Sequence, residues 1–393
     1  MLLERLAEQL AAREAADLRR ELRTATSPTA PRQRVRAPDG RERTLRMFCS
    51  NDYLGLASDP RLVAAWAEGA QTWGVGSGAS HLISGHTAAH VALAQALAAL
   101  LAPVVPQARA LTFSTGYMAN LAVLTALGGG DAALFCARLN HASLIDGARL
   151  ARAPVVLFDT PAELAPLLVG SDAPIKLIVT DAVFSMDGHL APLAELLALA
   201  EAHDAWLVVD DAHGLGVLGP RGAGSLAHLG LRSQRLIAIG TLGKAIGVAG
   251  AFVAAHPLVI EALTQLARPY IYTTAAPPAL AHTTEVALGL AAGPDGDARR
   301  AHLARLQARL QAGLTTLAAA RGWRLAPTAT PIHALIVGDN ATALAAAQRL
   351  AERGFRVPAI RPPTVAEGMA RLRITLCATH TEADVDDLLE AMA

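Results

Sequence analysis

At 393 residues, with 52% hydrophobic and 17% charged positions, the chain is long enough for two domains and apolar enough to bury a large core, which excludes a disordered polypeptide. Lys plus Arg equals Asp plus Glu at 34 each, so no global charge points to nucleic acid or to an anionic membrane surface. Cys49, Cys136 and Cys377 are far apart, form neither a disulfide framework nor a CxxC pair, and fit a reducing compartment.

The opening stretch MLLERLAEQLAAREAADLRREL reads as an amphipathic helix. Glu4, Glu8, Glu14 and Glu21 interrupt the apolar run a signal peptide needs, and transit peptides avoid acids, so a cytoplasmic protein is expected. Residues 24–45, rich in Arg, Pro and Thr, read as an exposed connection. From about residue 50 short β-like runs alternate with helical patterns. The strand candidates are Ala110–Ser114, Ala133–Cys136, Pro154–Phe158, Ile175–Thr180, Trp206–Asp210, Leu236–Gly240 and Ala249–Ala254. Helical spacing marks Tyr117–Leu127 and Pro192–His203 between them. This alternation predicts an α/β fold with a largely parallel sheet covered on both faces.

Residues 236–255 run for 20 positions with one charge, Lys244, a length that suits a membrane span. Four glycines and Thr241 divide the run into two short apolar segments around a turn, so two buried strands are expected and no membrane association. Beyond about residue 285 come a long Ala/Leu/Arg helix (295–322), a strand at His333–Val337, a helix at 341–353, strands at Phe355–Ile360 and Arg371–Leu376, and a closing helix from Thr381. The expected organisation is an N-terminal helix with its connecting segment (1–48), a large domain (49–285) and a smaller C-terminal α+β domain (286–393).

A lone lysine between buried strands needs a chemical reason, because desolvating an ammonium is costly. Asp210 closes one expected strand and Lys244 follows another. Ligands bind at the carboxyl ends of strands in open parallel sheets. An amine and a buried acid there suit pyridoxal phosphate (PLP), whose aldehyde needs an amine and whose pyridine nitrogen needs a carboxylate. Thr241 and its flanking glycines can approach a phosphate closely, and so can the turn Phe113-Ser114-Thr115-Gly116-Tyr117 at a helix start. His141, after another strand, could stack on a cofactor ring.

Two rival motifs carry less. Gly214-Leu-Gly216-Val-Leu-Gly219 matches the dinucleotide string of an NAD oxidoreductase, but Pro220-Arg-Gly-Ala-Gly follows where a helix must begin. Asp210, Asp211 and His213, or His86 and His90, offer metal ligands without a closing set, so no metal is expected.

The segments CSNDYLGLA (49–57), NHASLIDGARL (140–150), VFSMDGHLAPL (183–193), VVDDAHGLGVLG (208–219), GTLGKAIGVAGAFV (240–253), YIYTTAAPPA (270–279) and AIRPPTVAEGMARLRITL (359–376) occur in order. Together they resemble the α-oxoamine synthase family of fold-type I PLP enzymes from about residue 10 to the C-terminus. That resemblance implies a mainly parallel seven-stranded sheet, a C-terminal α+β domain and a homodimer with shared active sites. It makes Lys244 the Schiff-base lysine, Asp210 the partner of the pyridine nitrogen, His213 and Ser185 donors to the ring oxygen, and His141 the stacking residue. Thr241 and the Gly116-Tyr117 amides would hold the phosphate, with Thr273 and Thr274 supplied by the neighbouring subunit. Arg373 would bind the substrate carboxylate, with Arg19, Asn51, Arg361 and Thr364 lining the acyl side. Gly250-Ala251 and AIRPPTV resemble the branch that condenses L-alanine with pimeloyl-CoA or a pimeloyl carrier protein, releasing CO2, at the opening of biotin ring assembly. Sister branches use glycine or serine with other acyl-CoA substrates. Asp181 stands where the family usually has Glu.

Overall fold

The computed structural model describes residues 1–37 and 39–393, so that Pro38, inside the expected 24–45 connection, lies outside the described residues. Two compact units emerge: residues 1–53, 186–189 and 301–393 form unit 1, and residues 54–185 and 190–300 form unit 2. The leading segment thus groups with the C-terminal residues.

In unit 1 the opening helix spans Leu2–Ala15, rich in strong helix formers, and buries none of its residues. The 24–45 segment is not a bare connection. It supplies three antiparallel strands, β1 (Thr24–Ala25), β2 (Arg32–Arg36) and β3 (Glu42–Met47). Val35 and Leu45 are its buried apolar residues, and the pairs Gln33↔Leu45 and Val35↔Arg43 place them on one face. Arg32, Arg34 and Arg36 alternate onto the other face, so the arginines conceal a period-2 strand pattern.

Unit 2 is built on β4 (Arg109–Phe113), β5 (Ala132–Ala137), β6 (Val155–Phe158), β7 (Ile175–Asp181), β8 (Trp206–Asp210), β9 (Leu236–Thr241) and β10 (Ala251–Ala255). All seven expected strands form, in the order β4-β10-β9-β8-β7-β5-β6. Every neighbouring pair is parallel except the two made by β10, which runs antiparallel to β4 and β9. Every residue of β5 and β10 is buried, which is why these strands read as unbroken apolar runs. Their core includes Leu134, Val179, Val208, Ile239 and Val253 together with Ala119, Ala122 and Val123 of the helix Gly116–Leu127. Full burial of each Val, Leu or Ile is worth about 1.5–3 kcal/mol, so this cluster dominates the stability of the unit.

Residues 236–255 are therefore the hairpin β9–β10. Its loop is closed by Leu242 N–H donating to Gly250 O (2.8 Å) and Gly247 N–H to Lys244 O (2.9 Å). Gly247 has φ +76°, and a Cβ there would lie 2.6 Å from Ala57 N, so only glycine closes the turn after Lys244. Among the described residues no helix is long and apolar enough to cross a membrane.

The second sheet of unit 1 contains β11 (Arg324–Leu325), β12 (Ile332–Gly338), β14 (Ala359–Ile360) and β15 (Ala370–Thr375) in the order β11-β12-β15-β14, while β13 (Phe355–Arg356) pairs in parallel with β3. The single strand expected over Phe355–Ile360 is thus split between two sheets. Pro358, which has no N–H for a ladder, sits at the break and accepts from Arg373 N–H through its carbonyl (3.1 Å). The expected helices appear at Pro294–Arg321, Asn340–Glu352 and Glu382–Met392, the last two capped by Asp339 and Thr381.

Candidate active site

Unit 2 gathers chemistry where its parallel strands end. Asp181 and Asp210, the last residues of β7 and β8, are direct cross-strand partners, and Thr241 closes β9. All three carboxylates of the region, those of Asp181, Asp210 and Asp211, are buried. Asp210 Oδ2 accepts from Asn120 Nδ2 (2.6 Å) and its Oδ1 from Ala212 N–H (3.0 Å). Asn120 Nδ2 also donates to Ser143 Oγ (2.7 Å), so one amide ties Asp210 to the segment bearing His141. Burial, and then the adjacent Asp210 charge, push Asp181 well above the ordinary carboxylate range. Asp181 Oδ2 still accepts from His141 N–H (2.5 Å), fixing the backbone at that histidine.

Lys244, half-buried in the β9–β10 loop, places Nζ 2.8 Å from His213 Nε2. His141 caps the helix Ala142–Leu150, its Nδ1 accepting from Ser143 N–H (3.3 Å), so its Nε2 carries the proton when the ring is neutral. Gly116 and Tyr117 open a 12-residue helix, where amides lack intrahelical acceptors by position. A Cβ on Gly116 would meet the Thr241 Cβ at 3.9 Å, so the helix start and the strand-end threonine face one narrow space. The Thr241 hydroxyl donates to Gly250 O (3.2 Å), and the amides of the neighbouring helix N-terminus suit a phosphate. The Tyr117 hydroxyl donates to Asp146. Ser185 lies in the turn between Val183 and Leu190, which are bridged. Thr273 is half-buried and Thr274, bridged to Ser80, is exposed.

The remaining expected residues lie in unit 1. Arg373 is buried in β15 and both its Nη atoms approach Asn51 Oδ1 (3.4 and 3.5 Å), which also accepts from Tyr53 OH (3.1 Å). Arg361 donates to Asp17 O, and Thr364 N–H donates to Arg361 O (3.1 Å), closing the turn over the cis Pro362–Pro363 bond. Arg19 is exposed and pairs with Glu14.

Gly214–Gly219, Asp211 and His90 are bound into the fold instead. Gly214–Gly219 forms turns rather than a helix start, so it lacks the geometry of a dinucleotide site. Asp211 is committed to Ser225, accepting from its N–H and its Oγ (both 2.6 Å), and burial raises its pKa to about 7. His86 and His90 are joined by His81, their ligand atoms all within 4.8 Å. However, His90 accepts from Thr87 N–H at Nδ1 (3.1 Å) and meets Ala276 O at Nε2 (2.9 Å), which uses both ring nitrogens. The sequence does not mark Asn120 as a partner of Asp210, and His81, in a segment where the family is richer in Gly, is not marked as a neighbour of His86 and His90. Asn120 lies inside an ordinary helical pattern, and His81 is five residues from the nearer of its partners.

Residues 44–392 match the family described as aminotransferase class I and II. An 8-amino-7-oxononanoate synthase of Leptothrix cholodnii is 60% identical over 405 aligned residues, covering 100% of this chain and 98% of the relative. Among solved structures, a serine palmitoyltransferase variant from S. paucimobilis with a bound PLP–myriocin aldimine superposes with a TM-score of 0.88 at 29% identity, covering 98% of this chain and 95% of that one. An 8-amino-7-oxononanoate synthase from Francisella tularensis superposes with a TM-score of 0.74 at 29% identity, over 88% of this chain and 96% of that one.

Proposed function

This chain belongs to the class I and II aminotransferase family, and from that premise we propose that it is a PLP-dependent C-acyltransferase of the α-oxoamine synthase group, an 8-amino-7-oxononanoate synthase acting in biotin formation. The observation that carries the reading is the set of strand-end groups: Lys244 Nζ 2.8 Å from His213, and a buried Asp210 held by Asn120 at 2.6 Å. These residues fit PLP, with an amine for its aldehyde, a carboxylate for its ring nitrogen and the Gly116–Thr241 space for its phosphate.

When bound, PLP supplies the electron sink that makes the Cα of an amino acid acidic. The protein supplies position. Lys244 Nζ would tether the cofactor and is the amine placed to move the Cα proton of a bound amino acid. Asp210 keeps negative charge against the ring nitrogen, and its bonds to Asn120 and Ala212 N–H fix the direction of that charge. His213 and Ser185 would donate to the ring oxygen, and His141 would cover the ring. Arg373 grips the amino-acid carboxylate and is oriented by Asn51. Arg361, Thr364 and Arg19 line the acyl side. Thr273 and Thr274 donate to the phosphate held by a second copy of the chain, which makes the working form a homodimer. Among the described residues Cys49, Cys136 and Cys377 form no disulfide, which suits the cytoplasm.

The substrates are L-alanine and a pimeloyl thioester, with CoA or a carrier protein, and CO2, as products beside 8-amino-7-oxononanoate. The test is a matrix of amino acids against acyl thioesters, following thiol release and identifying products by mass. L-Alanine with pimeloyl-CoA should exceed glycine or L-serine with acetyl-, succinyl- or palmitoyl-CoA. One methyl group separates alanine from glycine and is worth about 1–3 kcal/mol, so some turnover of glycine is expected. A preference for glycine with a short acyl chain would move the chain to a sister branch.

A further inference from the structure

His90 is buried to 1% exposure in the first turn of the helix Ala88–Leu101, and its hydrogen bonds leave it one tautomer. The Thr87 N–H can only donate, so Nδ1 accepts (3.1 Å), with Thr87 Oγ1 also 3.0 Å away. The Ala276 carbonyl can only accept, so Nε2 donates (2.9 Å). Burial lowers the pKa of His90, in keeping with the neutral ring these two bonds require.

The receiving carbonyl belongs to the short segment that follows Thr273 and Thr274. That segment is held over a few residues by backbone and side-chain bonds to 77–80. Ser80 and Thr274 form an antiparallel bridge, Ala275 N–H donates to Ala79 O (2.9 Å), and Ser77 Oγ donates to Ala275 O (2.6 Å). A Cβ on Gly85 would lie 2.1 Å from Ala79 O, so residue 85 has no room for a side chain behind the 77–80 segment. The segment after the two threonines is thus bonded on this side, while Thr273 is half-buried and Thr274 exposed.

We propose that His90 is a positioning residue for the shared phosphate site: through its Nε2–H bond to Ala276 O it holds Thr273 and Thr274 where they donate to the cofactor phosphate bound by a second copy of the chain. The inference rests on the threonine roles given under the proposed function.

Glutamine and asparagine separate the two bonds of His90. In His90→Gln the amide Nε2 can still donate to Ala276 O. In His90→Asn the amide oxygen can replace Nδ1 as acceptor, but the donor to Ala276 is lost. Full-length dimer freed of cofactor is titrated with PLP and, separately, with pyridoxal, which lacks the phosphate. Losing one well-placed hydrogen bond to the phosphate corresponds to roughly 5- to 50-fold in affinity. His90→Asn should weaken PLP by about that factor and leave pyridoxal unchanged, whereas His90→Gln should stay within about threefold of the parent for both. Ser77→Ala, which loosens the same segment from its other side, should weaken PLP in the same direction by less, and serves if His90→Asn does not fold. The Thr273→Val, Thr274→Val double variant is titrated in parallel. If it weakens PLP while His90→Asn or, where that variant fails, Ser77→Ala does not, the threonine roles stand and the role of His90 is overturned. If the double variant binds PLP as tightly as the parent, the threonine roles fall and the inference falls with them. Equal losses for PLP and pyridoxal, or equal losses in the Asn and Gln variants, would reduce His90 to a helix cap.

Discussion

In unit 2 the polar groups sit where strands stop: Asp181, Asp210 and Thr241 are the last residues of β7, β8 and β9. In unit 1 the two buried arginines, Arg371 and Arg373, lie inside β15, all six positions of which are buried. A strand end delivers a side chain to a place where backbone amides and helix starts already gather, as Ala212 N–H does for Asp210. A cation inside a strand has no such help and needs acceptors brought from elsewhere. Arg371 takes Asp187 and the carbonyl of Met369 (3.0 Å), and Arg373 takes Asn51. Removing a strand-end group should therefore damage chemistry and spare the fold, whereas removing Arg371, to which the proposed function gives no role, should damage the fold.

The largest effect expected from this contrast is in Lys244→Ala. Turnover should fall on the order of 10⁴-fold, borohydride should no longer fix the cofactor to the chain, and the denaturant midpoint should barely move. Stoichiometric labelling at another lysine would remove Lys244 from its role. Arg371→Ala should do the reverse. It strands the partly buried Asp187 carboxylate, and breaking such a pair costs about 3–5 kcal/mol, visible as a lower urea midpoint before any active-site measurement is made. An unchanged midpoint would erase the distinction between the two regions.

Asp210→Asn should keep the fold and slow exchange of the alanine α-proton. Loss of one charged hydrogen bond is worth about 2–4 kcal/mol, or roughly 30- to 1,000-fold in rate. Near-parental exchange would show that the ring nitrogen is held another way. Its neighbour Asp211 offers the smallest and sharpest test. Burial raises the Asp211 pKa to about 7, above the unfolded value of about 3.9. Between those values the folded chain keeps a proton that the unfolded chain has released. The contribution is therefore fully present below the unfolded pKa and is lost as pH rises toward the folded one. The slope from this one group is at most about 1.4 kcal/mol per pH unit. Asp211→Asn should flatten it, and urea midpoints measured from pH 4 to 8 in both proteins would reveal a failure.

Local pattern was enough for much of the architecture. Fully buried strands such as β5 and β10 read as apolar runs because both faces are covered, and the Lys244 loop stood out because one charge and four glycines interrupt such a run. The closing helix expected from Thr381 likewise forms, over Glu382–Met392. The strands β1–β3 were hidden because their outward positions carry arginines, leaving Val35 and Leu45 as the buried apolar marks. The break at Pro358 depended on two different strands claiming its flanks.

The sequence by itself determined that an amine, an acid and a glycine-lined turn fall at strand ends, since those are local properties of side chain and backbone. Only the tertiary structure decided what holds those groups. Asn120 reaches Asp210 across 90 residues, Asp181 reaches the His141 backbone across 40, and His90 reaches Ala276 across 186. A hydrogen bond constrains two atoms in space and imposes no period on the chain between them, so its partners become visible only when the sheet has brought them together.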